Sequence, residues 1–218
     1  MKNVILKVKR KNELKKTSFD VDSVLLNTEA TIIEFIKERY NTIITQKDIA
    51  HWNYYSENFP EVIKYFANPD LYKNATPVEG MQKVMKEMLE KYDPKSIQLV
   101  TSSHRNVEEA KNEALKKVYG HIPGFNEIDI IHVGLQTKKL DPLEKPSNKN
   151  YYTKNTILVD DAIHNIEDHL NHCETHNGIL VDFGYGWNQN YVRNKAHRVN
   201  NAEELLTTLL TLLKEKNK

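Results

Sequence analysis

The sequence predicts an α/β fold in which helices cover both faces of a parallel β-sheet. Short runs of apolar, β-branched residues have the length of buried strands, and they alternate with segments whose apolar residues repeat at helical spacing. Such an alternation is typical of βαβ units, because parallel strands need a long crossover between them. A chain of 218 residues is long enough for one such domain carrying an insertion.

Four apolar runs of five or six residues predict the buried strands of this sheet. They are residues 97–101, 128–133, 156–160 and 178–183.

Helices are predicted where apolar residues recur at i, i+3, i+4 and i+7. This spacing occurs over residues 79–92 and again over residues 107–118, where Ser103 is the expected N-cap. A C-terminal helix is predicted at about 202–214, capped by one of the two asparagines that precede it.

Residues 28–77, called the insertion below, have a different pattern. Ile32 and Ile36 lie at helical spacing, and the aromatic-rich stretch that follows has no strand signal. We therefore expect a small helical insertion on an α/β core made of residues 1–27 and 78–218.

Composition excludes several classes of protein. The formal net charge is +1, which argues against a broad nucleic-acid footprint, and the basic residues 2–16 are predicted to form a solvated edge hairpin. No apolar run approaches the roughly 18 residues of a membrane span, and the N-terminus lacks an apolar signal core. A single cysteine, Cys173, excludes an internal disulfide and a Cys-rich metal site, so the expected location is the cytoplasm.

The first candidate site is the pair Asp20 and Asp22. Side chains at i and i+2 of a strand point to one face, and two adjacent carboxylates are costly unless a cation or a shared proton compensates their charge. Mg²⁺ is a cation that such carboxylates bind. A turn or a solvated acidic pair would explain the same residues.

The second candidate site follows the predicted strand at residues 97–101, where Thr101, Ser102 and Ser103 lead into a helix. Free N–H groups at a helix N-terminus and neighbouring hydroxyls can bind a phosphate. Ordinary capping by Ser103 remains the alternative.

The third candidate site is Asp160 and Asp161, at the end of another apolar strand. Ligands of open α/β sheets bind at the carboxyl ends of the strands, and two carboxylates there favour a divalent cation or a distant lysine as their partner. Capping of the following helix is the alternative.

The order of these three sites resembles the haloacid dehalogenase (HAD) superfamily of phosphotransferases. Asp20 and Asp22 resemble its first motif, Thr101 its second, and Asp160 with Asp161 its fourth. The resemblance implies a three-layer, Rossmann-like core with a helical cap, the insertion, placed after the first motif.

The third motif of that superfamily is a lysine between the second and fourth. Lys149 is the preferred residue and Lys145 the alternative, whereas Lys138 and Lys139 are less favoured.

Within the superfamily, the chain most resembles the 5′(3′)-deoxyribonucleotidases. The segments that carry this resemblance are residues 161–166, 75–81 and 48–52. Two features depart from the pattern: Ser23 stands where the family often has glycine, and the strand before Asp20 is unusually polar.

The resemblance implies a Mg²⁺-dependent phosphomonoesterase. Asp20 would be the nucleophile that forms an aspartyl-phosphate, and Asp22 the general acid and base. Asp20, the Asp22 backbone carbonyl and Asp161 would hold Mg²⁺, and Asp160 would orient the lysine of the third motif or a metal-bound water.

Four groups would bind the phosphate: Thr101, the backbone N–H of Ser102, Lys149 (with Lys145 as its alternative) and Arg105. An exposed position on a helix would equally explain Arg105.

Aromatic side chains of the insertion would choose the substrate. Trp52 is the candidate to stack on a nucleobase, and Tyr55 and Phe59 are weaker candidates because packing inside the insertion explains them as well. Residues 185–188 are a further weak candidate, since related nucleotidases place a loop near the site there.

The expected partner is a small nucleotide, which would be a deoxyribonucleoside monophosphate; neither a membrane nor a nucleic acid is expected, and a homodimer is left open. Two alternatives also remain: a HAD phosphatase acting on another small phosphate ester or a nucleic-acid 3′-phosphate, and a catalytically silent HAD-like binding protein.

Overall fold

A parallel β-sheet organises the computed structural model, which describes residues 17–51, 53–134, 149–172, 177–189 and 196–215. Its strands are β1 (Thr17–Phe19), β2 (Ile97–Ser103), β3 (Asp129–Gly134), β4 (Ile157–Asp160), β5 (Gly178–Val181) and β6 (His197–Val199). Their order in the sheet is β3-β2-β1-β4-β5-β6, and every pairing is parallel. Since the chain turns back past β1 to form β4, the strand order reverses around β1, and this is where an open α/β sheet binds its ligands.

Helices cover both faces of this sheet. They are α1 (Thr28–Tyr40), α2 (Tyr54–Asn58), α3 (Pro60–Tyr65), α4 (Asp70–Lys73), α5 (Met81–Lys91), α6 (Glu108–Tyr119), α7 (Lys149–Thr153), α8 (Ile163–His172) and α9 (Ala202–Glu215). Alternate residues of β4 enter different apolar clusters: Val159 packs in the larger cluster with side chains of α5, α6 and α9, whereas Leu158 packs against α8. The α/β fold with a parallel sheet between helical layers is thereby confirmed.

The polar strand before Asp20 lies at the centre of the sheet. Ser18 of β1 shares a 2.8 Å hydrogen bond with the Thr156 hydroxyl, and the Gln98 side chain donates to the Ser18 hydroxyl over 2.8 Å. All three residues are buried. The Ser18 hydroxyl is thus satisfied from both sides of β1, whereas the buried hydroxyl of Thr17 in the same strand has no hydrogen-bond partner among the described residues.

The insertion consists of α1 to α4 and the segments that join them, and its described residues contain no strand. Its two ends lie side by side: Leu26 and Pro77 form an antiparallel bridge, and the Asn27 backbone N–H donates to the Thr76 carbonyl over 2.8 Å. The chain thus leaves and re-enters the core at one place, directly beyond the carboxyl end of β1.

Of the two predicted helix N-caps, the one for α9 is confirmed and the one for α6 is wrong. The Asn201 side chain accepts from the backbone N–H of Glu204 over 2.9 Å, as expected for the cap of α9. Ser103 as the N-cap of α6 is wrong, because Ser103 is the last residue of β2 and α6 begins only at Glu108.

Several predicted features lie outside the described residues. These are the basic segment 2–16 together with Trp52, Lys138, Lys139 and Lys145. Among the described helices, none combines the length and apolar character needed to cross a membrane.

Candidate active site

Three carboxylates meet at the carboxyl ends of β1 and β4. Asp20 follows β1, Asp160 ends β4 and Asp161 comes next, and one carboxylate oxygen of each lies within 4.8 Å of the others. All three side chains are buried. The parallel pairing of β1 with β4 produces this convergence, since Phe19 and Val159 are in register immediately before the acidic residues.

Lys149, the first residue of α7, lies between two of these carboxylates. Its Nζ is 2.9 Å from Asp20 Oδ1 and donates to Asp160 Oδ2 over 2.8 Å, and the side chain is only 5% exposed. Asp160 also accepts from the Asn165 side chain and from the Ala162 backbone N–H. Asp160 is therefore held by several donors and in turn fixes the position of the lysine.

Burial dominates the electrostatics of these groups. It raises the pKa of Asp20 to about 7, against the opposing effect of Lys149, and it raises the pKa of Asp161 well above its ordinary value. Burial acts to lower the pKa of Lys149, but the carboxylates of Asp160 and Asp20 outweigh it and raise that pKa. The lysine is therefore positively charged.

These residues fit a divalent cation. Three buried carboxylates share one buried ammonium group among the described residues, so the fully ionised cluster carries excess negative charge. An uncompensated charge in a protein interior is costly, and carboxylate oxygens are the ligands that Mg²⁺ prefers. Burial, together with the neighbouring carboxylates, raises the pKa values of Asp20 and Asp161, which shows that their ionised forms are costly here.

Asp22 lies beside this cluster and accepts three hydrogen bonds. The donors are Lys111 Nζ at 2.6 Å, the Tyr72 hydroxyl at 3.1 Å and the Thr101 hydroxyl at 3.4 Å. The Asp22 side chain is 32% exposed. Asp22 can therefore reach a molecule that enters from solvent while its orientation remains set by the protein.

Lys111 is a site residue that the sequence analysis missed. It is fully buried, and it donates also to Thr101 Oγ1 over 2.9 Å and to the Ser102 carbonyl over 3.0 Å. Its position in α6 provides a signal, because it falls on the apolar stripe that includes Val107 and Leu115. A lysine on the buried face of an amphipathic helix needs a partner, and here that partner is Asp22.

Tyr72 was also missed. It belongs to α4 of the insertion, is 4% exposed, and lies with its ring 5.1 Å from Lys111 Nζ. Its hydroxyl reaches Asp22, so the insertion contributes directly to the cluster on the core.

The turn after Asp22 places Ser23 in the left-handed backbone region. Ser23 has a φ of 58°, a conformation that glycine adopts at no steric cost. Its carbonyl accepts a hydrogen bond from the buried Tyr185 hydroxyl. The tight turn after Asp22 is thus present although the residue is serine.

A cavity of about 490 Å³ opens from the acidic cluster into the insertion. Asp20, Asp22, Ser102, Lys149 and Asp161 lie at one side of it, and the insertion contributes apolar walls. These walls include Ile32, Ile49, Ile63, Phe66 and Leu71. One side of the cavity is therefore charged and suited to a cation, and the other is suited to an organic group.

The loop after β5 closes part of this cavity. Trp187 lines it, donates from Nε1 to the Asp161 carbonyl over 3.2 Å, and stacks on Tyr185 with 4.5 Å between ring centroids. A Cβ atom at Gly186 would lie 2.6 Å from the Lys47 carbonyl oxygen, so only glycine allows the loop to approach the insertion so closely.

Some predicted site residues do not join this cluster. Arg105 is exposed and lines a separate surface hollow with Glu108 and Glu109. Phe59 packs inside the insertion, 5.1 Å from the Tyr40 ring, whereas Tyr55 does line the cavity.

Solved structures identify the class of fold. A haloacid dehalogenase-like hydrolase from Streptococcus pneumoniae has a TM-score of 0.53 at 9% identity, over 89% of this chain and 98% of that chain. The HAD-hydrolase YfnB from Bacillus subtilis, solved bound to magnesium, has a TM-score of 0.53 at 17% identity, over 90% of this chain and 99% of that chain. The core is thus HAD-like, as expected from the order of the acidic motifs.

The family follows from the sequence of the whole chain. The profile described as 5′ nucleotidase, deoxy (pyrimidine), cytosolic type C protein matches residues 16–212, and the chain belongs to this family. Relatives named 5′(3′)-deoxyribonucleotidase occur in Bacillus subtilis (strain 168) and Bacillus phage SPbeta; each is 28% identical over 198 residues, which is 90% of this chain and 99% of the relative. The chain is a phosphoric monoester hydrolase of the 5′-nucleotidase type, and its resemblance to deoxyribonucleotidases is confirmed.

Proposed function

We propose that this chain is a Mg²⁺-dependent phosphomonoesterase that hydrolyses 5′-deoxyribonucleoside monophosphates through an aspartyl-phosphate on Asp20. The observation that carries the proposal is the convergence of Asp20, Asp160 and Asp161 within 4.8 Å, beside Asp22 and at the anionic side of a cavity with apolar walls. The names of the two Bacillus relatives support the choice of substrate. The proposed setting is the cytoplasm.

Asp20, Asp161 and the backbone carbonyl of Asp22 would hold the cation. When bound, Mg²⁺ supplies positive charge that offsets the repulsion between a carboxylate nucleophile and a phosphate dianion. Lys149 adds a second positive charge on the same side, and Asp160 keeps that lysine in place.

In the first half of the reaction, a carboxylate oxygen of Asp20 attacks phosphorus and the bond from phosphorus to the sugar oxygen breaks. Asp22 gives a proton to the departing oxygen, which leaves as the hydroxyl group of the nucleoside. Lys149, Thr101 and the Ser102 backbone N–H would stabilise the phosphoryl oxygens.

In the second half, Asp22 takes a proton from water and the resulting nucleophile attacks phosphorus. The bond between phosphorus and Asp20 breaks, so inorganic phosphate leaves and the free carboxylate returns. One proton has then moved from water to the nucleoside, and Asp22 is ready for another cycle.

The insertion is proposed to act as the cap of the core formed by residues 1–27 and 78–218. Its apolar walls would hold the nucleoside and exclude water from the acidic cluster. A stacking role for Trp52 remains part of this proposal, together with a supporting role for the Trp187 loop.

Asp20→Asn tests the proposal. The variant should release no phosphate from a panel of nucleoside monophosphates, although it should still bind them, whereas Asp70→Asn, an exposed change in α4, should behave as the wild type. Turnover of p-nitrophenyl phosphate by Asp20→Asn at the wild-type rate would contradict the nucleophile. Wild-type protein that releases phosphate from sugar phosphates but from none of the nucleotides would contradict the substrate class.

A further inference from the structure

Glu29 is a buried acid in the wall of the same cavity. It is the second residue of α1 and is 4% exposed, yet it lines the cavity together with Asp20 and Asp22. The other buried residues that the described insertion contributes to this wall are Ile32, Ile49 and Leu71, which are apolar, and Thr28, Tyr55 and Tyr72, which carry hydroxyl groups but no charge. An ionisable group among such residues is costly for folding, which suggests a use in binding.

Tyr55 is the hydrogen-bonding partner of this acid. The Tyr55 hydroxyl, from α2, donates to Glu29 Oε1, and within the described parts of the chain the carboxyl group has no further hydrogen bond and no ion pair. The second oxygen is therefore available to a molecule in the cavity. Tyr55 also packs edge-on against Phe66, another residue of the cavity wall, so its hydroxyl is held in place.

Burial raises the pKa of Glu29 to about 8, so the carboxyl group is mostly neutral near pH 7. A neutral carboxyl group offers one O–H donor next to a carbonyl acceptor. A nucleobase presents the complementary pattern along its edge, with a ring or exocyclic N–H next to an acceptor nitrogen or oxygen. A charged carboxylate would offer acceptors alone and would match fewer bases.

We propose that Glu29 is a specificity-determining residue whose carboxyl group, oriented by Tyr55, hydrogen-bonds the base of the bound nucleotide. This inference rests on the proposed nucleotidase function and adds the group that recognises the base. Glu29 lines the same cavity as Asp20, Asp22 and Lys149, so one bound nucleotide would meet the proposed phosphate site and this carboxyl group together. The ligand class is a nucleobase that has a hydrogen-bond donor beside an acceptor.

The experiment compares substrates with and without a base. Wild type, Glu29→Leu, Glu29→Gln and Tyr55→Phe are assayed with a set of deoxyribonucleoside 5′-monophosphates, with 2-deoxyribose 5-phosphate and with p-nitrophenyl phosphate. Glu29→Leu should lower kcat/KM for the nucleotides by about 10- to 100-fold while the two substrates without a base change less than twofold. Glu29→Gln keeps a donor and an acceptor and should remain within about threefold of wild type on every substrate.

Tyr55→Phe separates base recognition by Glu29 from a purely structural role of the Glu29–Tyr55 hydrogen bond. It removes that hydrogen bond but leaves the Glu29 carboxyl group in the cavity. A smaller loss on nucleotides than that of Glu29→Leu is expected. Equal losses on all substrates in Glu29→Leu and Tyr55→Phe would show that the pair only joins α1 to α2, and would overturn the inference.

Base recognition can be tested separately from the proposed reaction, because the Asp20→Asn variant should bind nucleotides without hydrolysing them. Calorimetry measures this binding. Adding Glu29→Leu to this variant should weaken nucleotide binding by about 10- to 100-fold and leave inorganic phosphate binding unchanged. An unchanged nucleotide affinity overturns base recognition even if the enzyme hydrolyses nucleotides. A wild-type protein that does not distinguish nucleotides from 2-deoxyribose 5-phosphate overturns it as well.

Discussion

Lys111 Nζ lies 2.6 Å from Oδ2 of Asp22, and the lysine is completely buried. This pair joins the face of α6 to the turn after β1, so the orientation of the proposed general acid depends on a residue from a different crossover of the sheet. The Thr101 hydroxyl, between them, donates to Asp22 and accepts from Lys111. The proposed proton-transfer group is thus positioned by a network that joins the turn after β1 to β2 and α6.

Lys111→Met should therefore impair proton donation more than nucleophilic attack. We expect kcat for a deoxyribonucleotide to fall by about 10²- to 10⁴-fold, the usual contribution of a positioned acid. The loss with p-nitrophenyl phosphate should be much smaller, since p-nitrophenolate leaves without a proton. Lys116→Met, an exposed change on the same helix, is the control. Equal losses on both substrates would assign Lys111 to folding or phosphate binding instead.

Tyr72→Phe removes one hydrogen bond from Asp22 without changing the charge of the site. The expected result is a decrease of about tenfold in kcat for the nucleotide, with KM changed less than twofold, because a bond to a charged group contributes about 1.5 kcal/mol or more. Tyr65→Phe is a matched control in the insertion, since Tyr65 stacks on Phe35 at 4.2 Å. A change in KM alone would place Tyr72 in substrate binding.

Mg²⁺ should stabilise the folded protein as well as support turnover. A ligand that binds only the native state raises the melting temperature, and the buried carboxylates leave excess negative charge for it to neutralise. Thermal unfolding with and without Mg²⁺ measures this shift, which Asp161→Asn should abolish and Asp70→Asn should preserve. A wild-type melting temperature that is independent of Mg²⁺, or turnover that persists with a chelator, would contradict the metal site.

The buried acid of the insertion makes stability depend on pH. Burial raises the pKa of Glu29 from an ordinary 4.5 to about 8, and the facing groups Tyr55 and Tyr185 supply no positive charge. Between these two pH values the unfolded chain releases a proton that the folded chain retains. As the pH rises through this range, Glu29 therefore lowers the free energy of unfolding by up to about 1.4 kcal/mol for each pH unit.

Glu29→Gln removes this titration. The difference in unfolding free energy between the variant and the wild type should shift in favour of the variant from pH 5 to pH 8. Urea unfolding at pH 5, 6.5 and 8 measures it. Curves that stay parallel across this range would mean that the Glu29 carboxyl group ionises normally.

The strands that carry the acidic residues were predictable because buried parallel strands are continuous apolar runs. Residues 156–160 and 178–183 correspond to β4 and β5, and the acidic motif at Asp160 lies where the strand ends. β6 was not predicted, since His197 and Arg198 leave only Val199 as an apolar residue. Local composition cannot reveal a strand that is defined by pairing with β5 alone.

Contacts between distant segments explain what the sequence did not reveal about the site. Lys111 and Tyr72 reach Asp22 only after α6 and α4 pack together over the end of β1, and neither lies in an acidic or hydroxyl-rich motif. The error at Ser103 has a similar origin. Its hydroxyl pairs with the His132 ring 3.1 Å away on β3, which keeps it in the sheet instead of at the start of a helix.

The bridge between Leu26 and Pro77 means that the two ends of the helical segment meet at a single junction. Every carboxylate of the acidic cluster comes from chain outside that segment. An exchange of the whole segment at this junction would leave the three carboxylates in place but would remove Tyr72, which donates to Asp22. A chimaera that grafts another helical segment between these two residues should therefore keep the acidic cluster together, and it would need a new hydrogen-bond donor for Asp22.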